Sequence, residues 1–389
     1  MRTRRTSERR PPHARPAPTR HQTARPSLAP ATRWKWAVAG YFASISERVQ
    51  LCGSGSGPGW AAVRLGRVLP GKPLARVNRP DDPGPRDFEE AAQAWREDGF
   101  VILPGFIPPH ELKSAAGELD LLFPSAEGFH DATDARRDRF IGDQFAGIDY
   151  FPFAGTEISL LAVNHRILTH AETLLEDDGF QIYGAEAWAK YAGASDYDQD
   201  LHRDYLGHTL LVPSTAPGFR QLEMFVYLAD VPEEFGPAHL VPRKHTAGLP
   251  AVPDRYLRAG LESRSRFHDG SGSPHLYGAE VSAAGPAGTV VAFEIGTVHR
   301  GTAMTAPRGA RYTMHLNFRP SGVQWGQRRG WAYSAGQRDW FKFVERATPR
   351  QLQAFGFPPP GHPYRTPETL AGMALRYPGL DLTPWRRPG

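Results

Sequence analysis

Cysteine is almost missing from this chain: Cys52 is the only one among 389 residues. No disulfide can form within the chain, so nothing asks for an oxidising compartment, and the cytoplasm is the expected location. Long apolar runs are missing as well. A membrane helix needs about 18 or more such residues in succession, and Trp36 to Ile45 is too short, so no membrane span is expected. Acids are scarce at the start, where residues 1–35 hold nine Arg and Lys35 against Glu8 alone, a charge of +9. The whole chain carries +5, which leaves −4 on residues 36–389. The body is mildly acidic, so the basic balance is no reason to expect a nucleic-acid partner. Turn formers are plentiful instead: 40 Gly and 37 Pro suit a β-rich protein with many loops.

Residues 1–85 read as a poorly ordered basic extension. The first 30 are rich in Arg, Pro, Thr and Ala and have too few large apolar side chains to offset the entropy of ordering. A targeting peptide is the functional alternative for this stretch, although its prolines would break an amphipathic helix. Order is expected from Asp87. Phe88, Ala91, Ala92 and Trp95 recur at helical spacing, Asp98-Gly99 supplies a stop, and Phe100 to Leu103 is a short apolar strand. A helix opening at Pro108-Pro109 should run to about Phe123. A polar loop from Ser125 to Gly155, with an aromatic tip at Tyr150 to Phe153, suits a lid or substrate loop, and a helix should follow over Glu157 to Glu176.

Strand candidates then come in succession. Phe180, Ile182 and Trp188 share one face of an extended run ending at Lys190-Tyr191. After it come His208 to Val212, Gln221 to Leu228, His239 to Val241, Thr289 to Phe293 and Arg311 to Phe318. Helices before and after these strands argue for a β core with flanking helices, in a domain spanning 86–330. Residues 331–389, with helix starts at Thr348-Pro349 and Thr366-Pro367, are expected to pack on that core.

The chemistry gathers at Leu201-His202-Arg203-Asp204-Tyr205. His202 and Asp204 fall on one side of an extended segment because side chains alternate with period two. With His299, which follows a strand-like stretch, they make up the two-histidine, one-carboxylate set that holds non-haem Fe(II) and leaves positions open. His-x-Asp by itself is a weak signal and gains weight only from its surroundings.

Those surroundings resemble the phytanoyl-CoA dioxygenase family of Fe(II)/2-oxoglutarate oxygenases over roughly Asp98 to Phe318. Asp98 to Phe106 is similar to the family's first strand. Leu228-Ala229-Asp230 through Gly236-Pro237 to Pro242-Arg243-Lys244-His245 is similar to its Leu-x-Asp strand, Gly-Pro turn and Pro-Gly-Ser-His end, with Arg243-Lys244 in place of Gly-Ser. That departure bears on substrate fit more than on iron. The family's His-Gly-Ser and its arginine eleven residues on are matched if Arg300 is an insertion, which puts Thr302 on the serine and Arg311 on the arginine.

The resemblance implies a double-stranded β-helix, a jelly-roll or cupin-like core. It further implies His202, Asp204 and His299 as both metal ligands and catalytic residues, and Arg311, helped by Thr302, as the anchor of the 2-oxoglutarate cosubstrate. Lys190 takes the place of a lysine that precedes the His-x-Asp motif and is assigned to the cosubstrate or substrate side. Trp188, Tyr205 and Phe225 are candidates for the pocket wall. Implied with them are O2, a small-molecule substrate, and an oxidoreductase that hydroxylates it with release of succinate and CO2. The retained Asp204 favours hydroxylation, since halogenating relatives lack that carboxylate.

Other readings are weaker. His202-Arg203-Asp204 also spells a kinase catalytic loop, but position 209 is Thr where that motif needs Asn, and no Asp-Phe-Gly follows. The glycine run at Gly53 to Gly59 lacks the Gly-Lys-Ser/Thr of a phosphate loop. His245, His268 and His315 read singly as turn or core histidines. A non-catalytic scaffold of the same fold, or a cupin-like metal enzyme without 2-oxoglutarate, remains the alternative, and Arg311 discriminates between these and the oxygenase.

Overall fold

The computed structural model describes residues 85–386 apart from 142–144, 146, 195–197, 205, 206, 259–267, 270–272 and 329. The basic extension, Cys52 and Tyr205 therefore lie outside the described residues. In chain order the strands are β1 (Phe100–Leu103), β2 (Asp149–Tyr150), β3 (Gln181–Tyr191), β4 (Leu201–His202), β5 (Leu222–Tyr227), β6 (Ala238–Leu240), β7 (Arg255–Tyr256), β8 (His268–Asp269), β9 (Val281–Ser282), β10 (Val290–Glu294), β11 (His299–Gly301) and β12 (Ala310–Arg319). They form two six-stranded sheets, ordered β1-β10-β5-β12-β3-β2 and β8-β7-β4-β11-β6-β9. Neighbours in sequence are seldom neighbours in the sheets, the mark of a jelly-roll core, and every pairing except β7 with β8 is antiparallel. Helices make up 35% of the described residues, a larger share than a β core with flanking helices conveys.

Period-two alternation decides which face of the larger sheet is dry. Leu222, Met224 and Val226 of β5, Met314, Leu316 and Phe318 of β12, and Ala185, Ala187 and Ala189 of β3 point into one hydrophobic cluster. The helix Pro85–Asp98, whose apolar residues recur at helical spacing as expected, adds Ala92 and Trp95 to it. Gly99, at φ +84°, ends that helix in a backbone conformation costly for other residues and turns the chain into β1.

Several expected elements differ. The helix expected to Phe123 breaks into Pro109–Ala116 and Leu119–Leu122, and the one over Glu157 to Glu176 into Thr156–Leu161 and His165–Leu175, the latter capped by the Asn164 side chain. His208 to Val212 is not a strand. Only Thr209 makes an isolated bridge, to Gly326, and Leu210 is 75% exposed. Hydrophobicity alone suggested a strand there, and no sheet edge receives it.

The expected lid or substrate loop, residues 125–155, answers to that reading in part: Phe145, Ile148 and Tyr150 line the cavity that also holds His202 and His299. The segment has a short helix, a 3₁₀ turn and the edge strand β2. Phe151 and Phe153 are buried, with Phe151 against Phe343 and Phe355 at centroid distances of 4.9 and 4.8 Å. Both partners come from the tail, which joins the main cluster through Trp340, Phe343, Val344 and Leu352. Burying each such side chain contributes roughly 1.5–3 kcal/mol. The tail helix Arg338–Arg346 was not foreseen, whereas Pro349–Ala354 and Pro367–Arg376 begin at the expected Thr348 and Thr366 caps.

Ile182 and Trp188 do not share a face. Asn317 pairs with Gly184 but Phe318 pairs with Ile182, so Tyr183 is an extra residue in β3. This bulge moves the alternation by one. Ile182 stays in the core, while Trp188 and Lys190 line a cavity on the other face.

Candidate metal centre and its cavity

β4 and β11 pair antiparallel with His202 opposite His299, which brings together two residues far apart in sequence. Their rings lie 4.7 Å apart, and Asp204 reaches both: Oδ1 is 3.2 Å from His202 Nε2 and Oδ2 is 3.2 Å from His299 Nε2. The three donor atoms lie within 4.8 Å of one another.

Each ring is oriented by a backbone carbonyl. His202 Nδ1 lies 2.8 Å from the Asp200 oxygen, and His299 Nδ1 lies 3.1 Å from that of Thr297. With Nδ1–H donating there, each Nε2 is left as a lone-pair donor facing Asp204, the second-sphere arrangement of metal-binding histidines. Burial would raise the Asp204 carboxyl, but His299 and His202 hold it well below the usual carboxylate range. Burial likewise lowers His299, yet the Asp204 charge lifts it above an ordinary imidazole. Two buried imidazoles and one half-buried carboxylate, converging, fit a divalent cation of the Fe(II) type.

The triad opens onto a cavity of about 590 Å³ whose far wall is the polar face of the larger sheet. Register arranges that wall in rows. Lys190 faces Arg311 across β3 and β12; Trp188 faces Thr313, which faces Tyr227; and Asn317 faces Glu223. Like charges directly opposite one another destabilise a sheet unless something neutralises them. The Lys190–Arg311 row gathers two positive charges at one end of the cavity. Trp188 stacks on His315 at 4.5 Å, and Phe225 lies 4.1 Å from the same ring. Burial, and then the Arg311 charge, push His315 well below the usual histidine range, so it is a neutral ring there.

Thr302 is placed otherwise than expected. It does not line the cavity; its hydroxyl donates to the Pro237 carbonyl at 2.8 Å, and its own carbonyl accepts from Lys190 Nζ at 3.2 Å. Gly236 explains why the preceding turn takes glycine: at φ +65°, a Cβ there would lie 2.5 Å from the Thr302 oxygen.

Arg300 is not a bulge. β11 pairs without interruption, His299 to Leu240, Arg300 to His239 and Gly301 to Ala238. The Arg300 side chain forms a two-point ion pair with Glu280 at 2.5 and 3.0 Å, while Gly301 lines the cavity. Arg243 does not line this cavity either; it pairs with Glu294 at 2.8 Å elsewhere.

Some cavity residues were not anticipated. His208 Nδ1 lies 2.5 Å from Glu223 Oε1, and with Asp204 these two form a second group of possible metal ligands. Burial lowers His208, but the Glu223 charge raises it overall. Arg328 pairs with Glu186 at 2.7 Å, and Glu186 accepts from the Trp188 indole at 3.0 Å. The one signal in the sequence was alternation: Glu223, Phe225 and Tyr227, and Arg311, Thr313, His315 and Asn317, interleave with residues of the dry face.

Residues 95–311, more than half of the chain, match the family described as phytanoyl-CoA dioxygenase (PhyH). The chain belongs to that family. Its members are oxygenases that use Fe(II), 2-oxoglutarate and O2, and the donor set of this dioxygenase-family chain fits that iron. No curated protein matches it. Among solved structures it is similar to the non-heme alpha ketoglutarate dependent epimerase SnoN from nogalamycin biosynthesis, with 20% identity over 62% of this chain and 88% of that one, at a TM-score of 0.42. It is also similar to HygX from Streptomyces hygroscopicus with nickel and 2-oxoglutarate bound, with 18% identity over 60% and 87%, at a TM-score of 0.43. EctD from S. alaskensis with 2-oxoglutarate and 5-hydroxyectoine gives 19% identity over 64% and 80%, at a TM-score of 0.43. Among the described residues no helix is long and apolar enough to cross a membrane.

Proposed function

We propose that this family member is a 2-oxoglutarate-dependent hydroxylase of a small organic substrate, with His202, Asp204 and His299 as the Fe(II) ligands. The observation that carries the reading is the convergence of the three side chains with both Nδ1 atoms turned to carbonyls. The chemistry such an iron supplies, when bound, is the coupling of 2-oxoglutarate decarboxylation by O2 to oxidation of a substrate C–H bond.

The chain's own residues position and neutralise. Arg311 takes the distal carboxylate of 2-oxoglutarate in its planar fork, and Lys190 across the strand pair adds a second positive charge. Thr302 supports Lys190 through its carbonyl, so its part in cosubstrate binding is indirect. Trp188, His315 and Phe225 hold the wall rigid beside the reacting centre. Glu223, His208 and Arg328 stand at the other end, where a polar group of the substrate would lie.

The test is succinate formation from 2-oxoglutarate in the purified, Fe(II)-loaded protein, with His202→Ala as the control. Turnover abolished by the substitution is the expected result. A folded wild-type protein that binds neither iron nor 2-oxoglutarate would end this reading.

A further inference from the structure

The carbonyl that orients His202 belongs to the peptide between Asp200 and Leu201, and the N–H of that same peptide donates to the Tyr277 hydroxyl at 3.2 Å. The hydroxyl in turn donates to the Tyr256 carbonyl at 2.9 Å, across the β4–β7 pair in which Leu201 faces Tyr256. It also lies 3.3 Å from Asp200 Oδ1, so one phenol meets Asp200 at its peptide and at its carboxylate. β4 is only two residues long, and a strand so short has few ladder bonds of its own to fix the tilt of that peptide. Tyr277 comes from the helix Pro274–Tyr277, and two guanidinium groups lie over its ring, Arg258 at 5.3 Å and Arg300, next to His299, at 5.7 Å. A planar peptide pinned at its N–H presents its carbonyl in one direction. Tyr277 does not line the cavity, so it acts on the site only through its neighbours.

We propose that Tyr277 is a positioning residue for the metal centre: its hydroxyl fixes the Asp200–Leu201 peptide, and that peptide's carbonyl holds His202 with Nδ1 protonated and Nε2 turned to the metal. This role rests on the reading of His202 as an Fe(II) ligand and extends it outward by one hydrogen bond. Partners of this kind keep a ligating imidazole in one tautomer and one orientation, and their loss weakens metal binding.

The full chain is titrated with Co(II), whose visible absorption reports the arrangement of its ligands, and the unfolding temperature is read on the metal-free protein. In Tyr277→Phe, which keeps the ring and its cation contacts, Co(II) affinity per folded molecule should fall roughly tenfold, the lower end of what losing an outer partner of a metal ligand costs, and the absorption bands should shift. Tyr256→Phe is the matched control. It removes from the same strand pair a buried hydroxyl that has no hydrogen-bond partner, and should equal wild type in affinity and spectrum. A Tyr277→Phe protein with wild-type affinity and bands overturns the proposal whatever its unfolding temperature, because the hydroxyl would then serve stability alone. An equal loss in Tyr256→Phe overturns it too. Wild-type protein that binds no Co(II), or binds it undiminished after His202→Ala, overturns the metal reading itself, and the role of Tyr277 with it.

Discussion

The two faces of β3, β5 and β12 are built from the same backbone and share nothing else. One face carries Ala187, Met224, Met314 and Leu316, all fully buried, and packs against helices and the tail. The other carries Lys190, Glu223, Arg311, Thr313, His315 and Asn317, and lines the cavity before the triad. Neighbouring residues therefore do different work: Leu316 holds the sheet down, and His315 beside it shapes the site. A substitution on one face should be silent on the other.

The largest expected effect is on the cavity side. His202→Ala should abolish stoichiometric Fe(II) binding and succinate formation, with a circular dichroism spectrum and unfolding midpoint close to wild type. On the dry face, Leu316→Ala should destabilise by roughly 2–5 kcal/mol, read from denaturant midpoints. Iron bound per folded molecule should not change; an iron loss would mean that the two faces are coupled.

Arg311→Ala comes next. It should retain iron and weaken 2-oxoglutarate binding roughly tenfold to a hundredfold, as losing a charge-assisted pair worth about 1.5–3 kcal/mol implies. Unchanged affinity would point instead to a metal enzyme that does not use 2-oxoglutarate.

The effect smallest at neutral pH concerns His170, buried on the helix His165–Leu175 against Phe88 and Phe106 and pushed down to about 3 by burial alone. Below about pH 6.5 the unfolded chain takes up a proton there that the folded chain refuses. Stability is therefore lost as pH falls from 6.5 toward 3, by up to about 1.4 kcal/mol per pH unit. His170→Phe should flatten this acid limb and leave stability above pH 7 nearly unchanged. An unaltered acid slope would assign the acid sensitivity to other groups.

Much of this was legible before any fold was known. β1 falls on Phe100 to Leu103 as read, because a short apolar run bounded by Asp98-Gly99 and Pro104-Gly105 leaves few alternatives. Two of the tail helices, Pro349–Ala354 and Pro367–Arg376, begin at Thr-Pro pairs because capping is a local interaction. Less local features were misread. The bulge at Tyr183 has no signature in β3 itself; it exists only as a mismatch of register with β12. Within the aromatic tip, Tyr150 lines the cavity as a substrate loop would, whereas Phe151 and Phe153 are buried, Phe151 against Phe343 and Phe355 about two hundred residues on.

The candidate site divides in the same way. His202 and Asp204 stand two apart in one segment, so the chain alone places them together, and the family resemblance around them pointed to iron. That His299 faces His202 and Lys190 faces Arg311 are facts of strand pairing, as is the meeting of His208 with Glu223 and Asp204. Sequence determined the residue types and the period that sorts them onto faces, because both follow from local backbone geometry. Only the tertiary structure decided which face meets which. That choice depends on the register between strands far apart in the chain, which no local pattern carries.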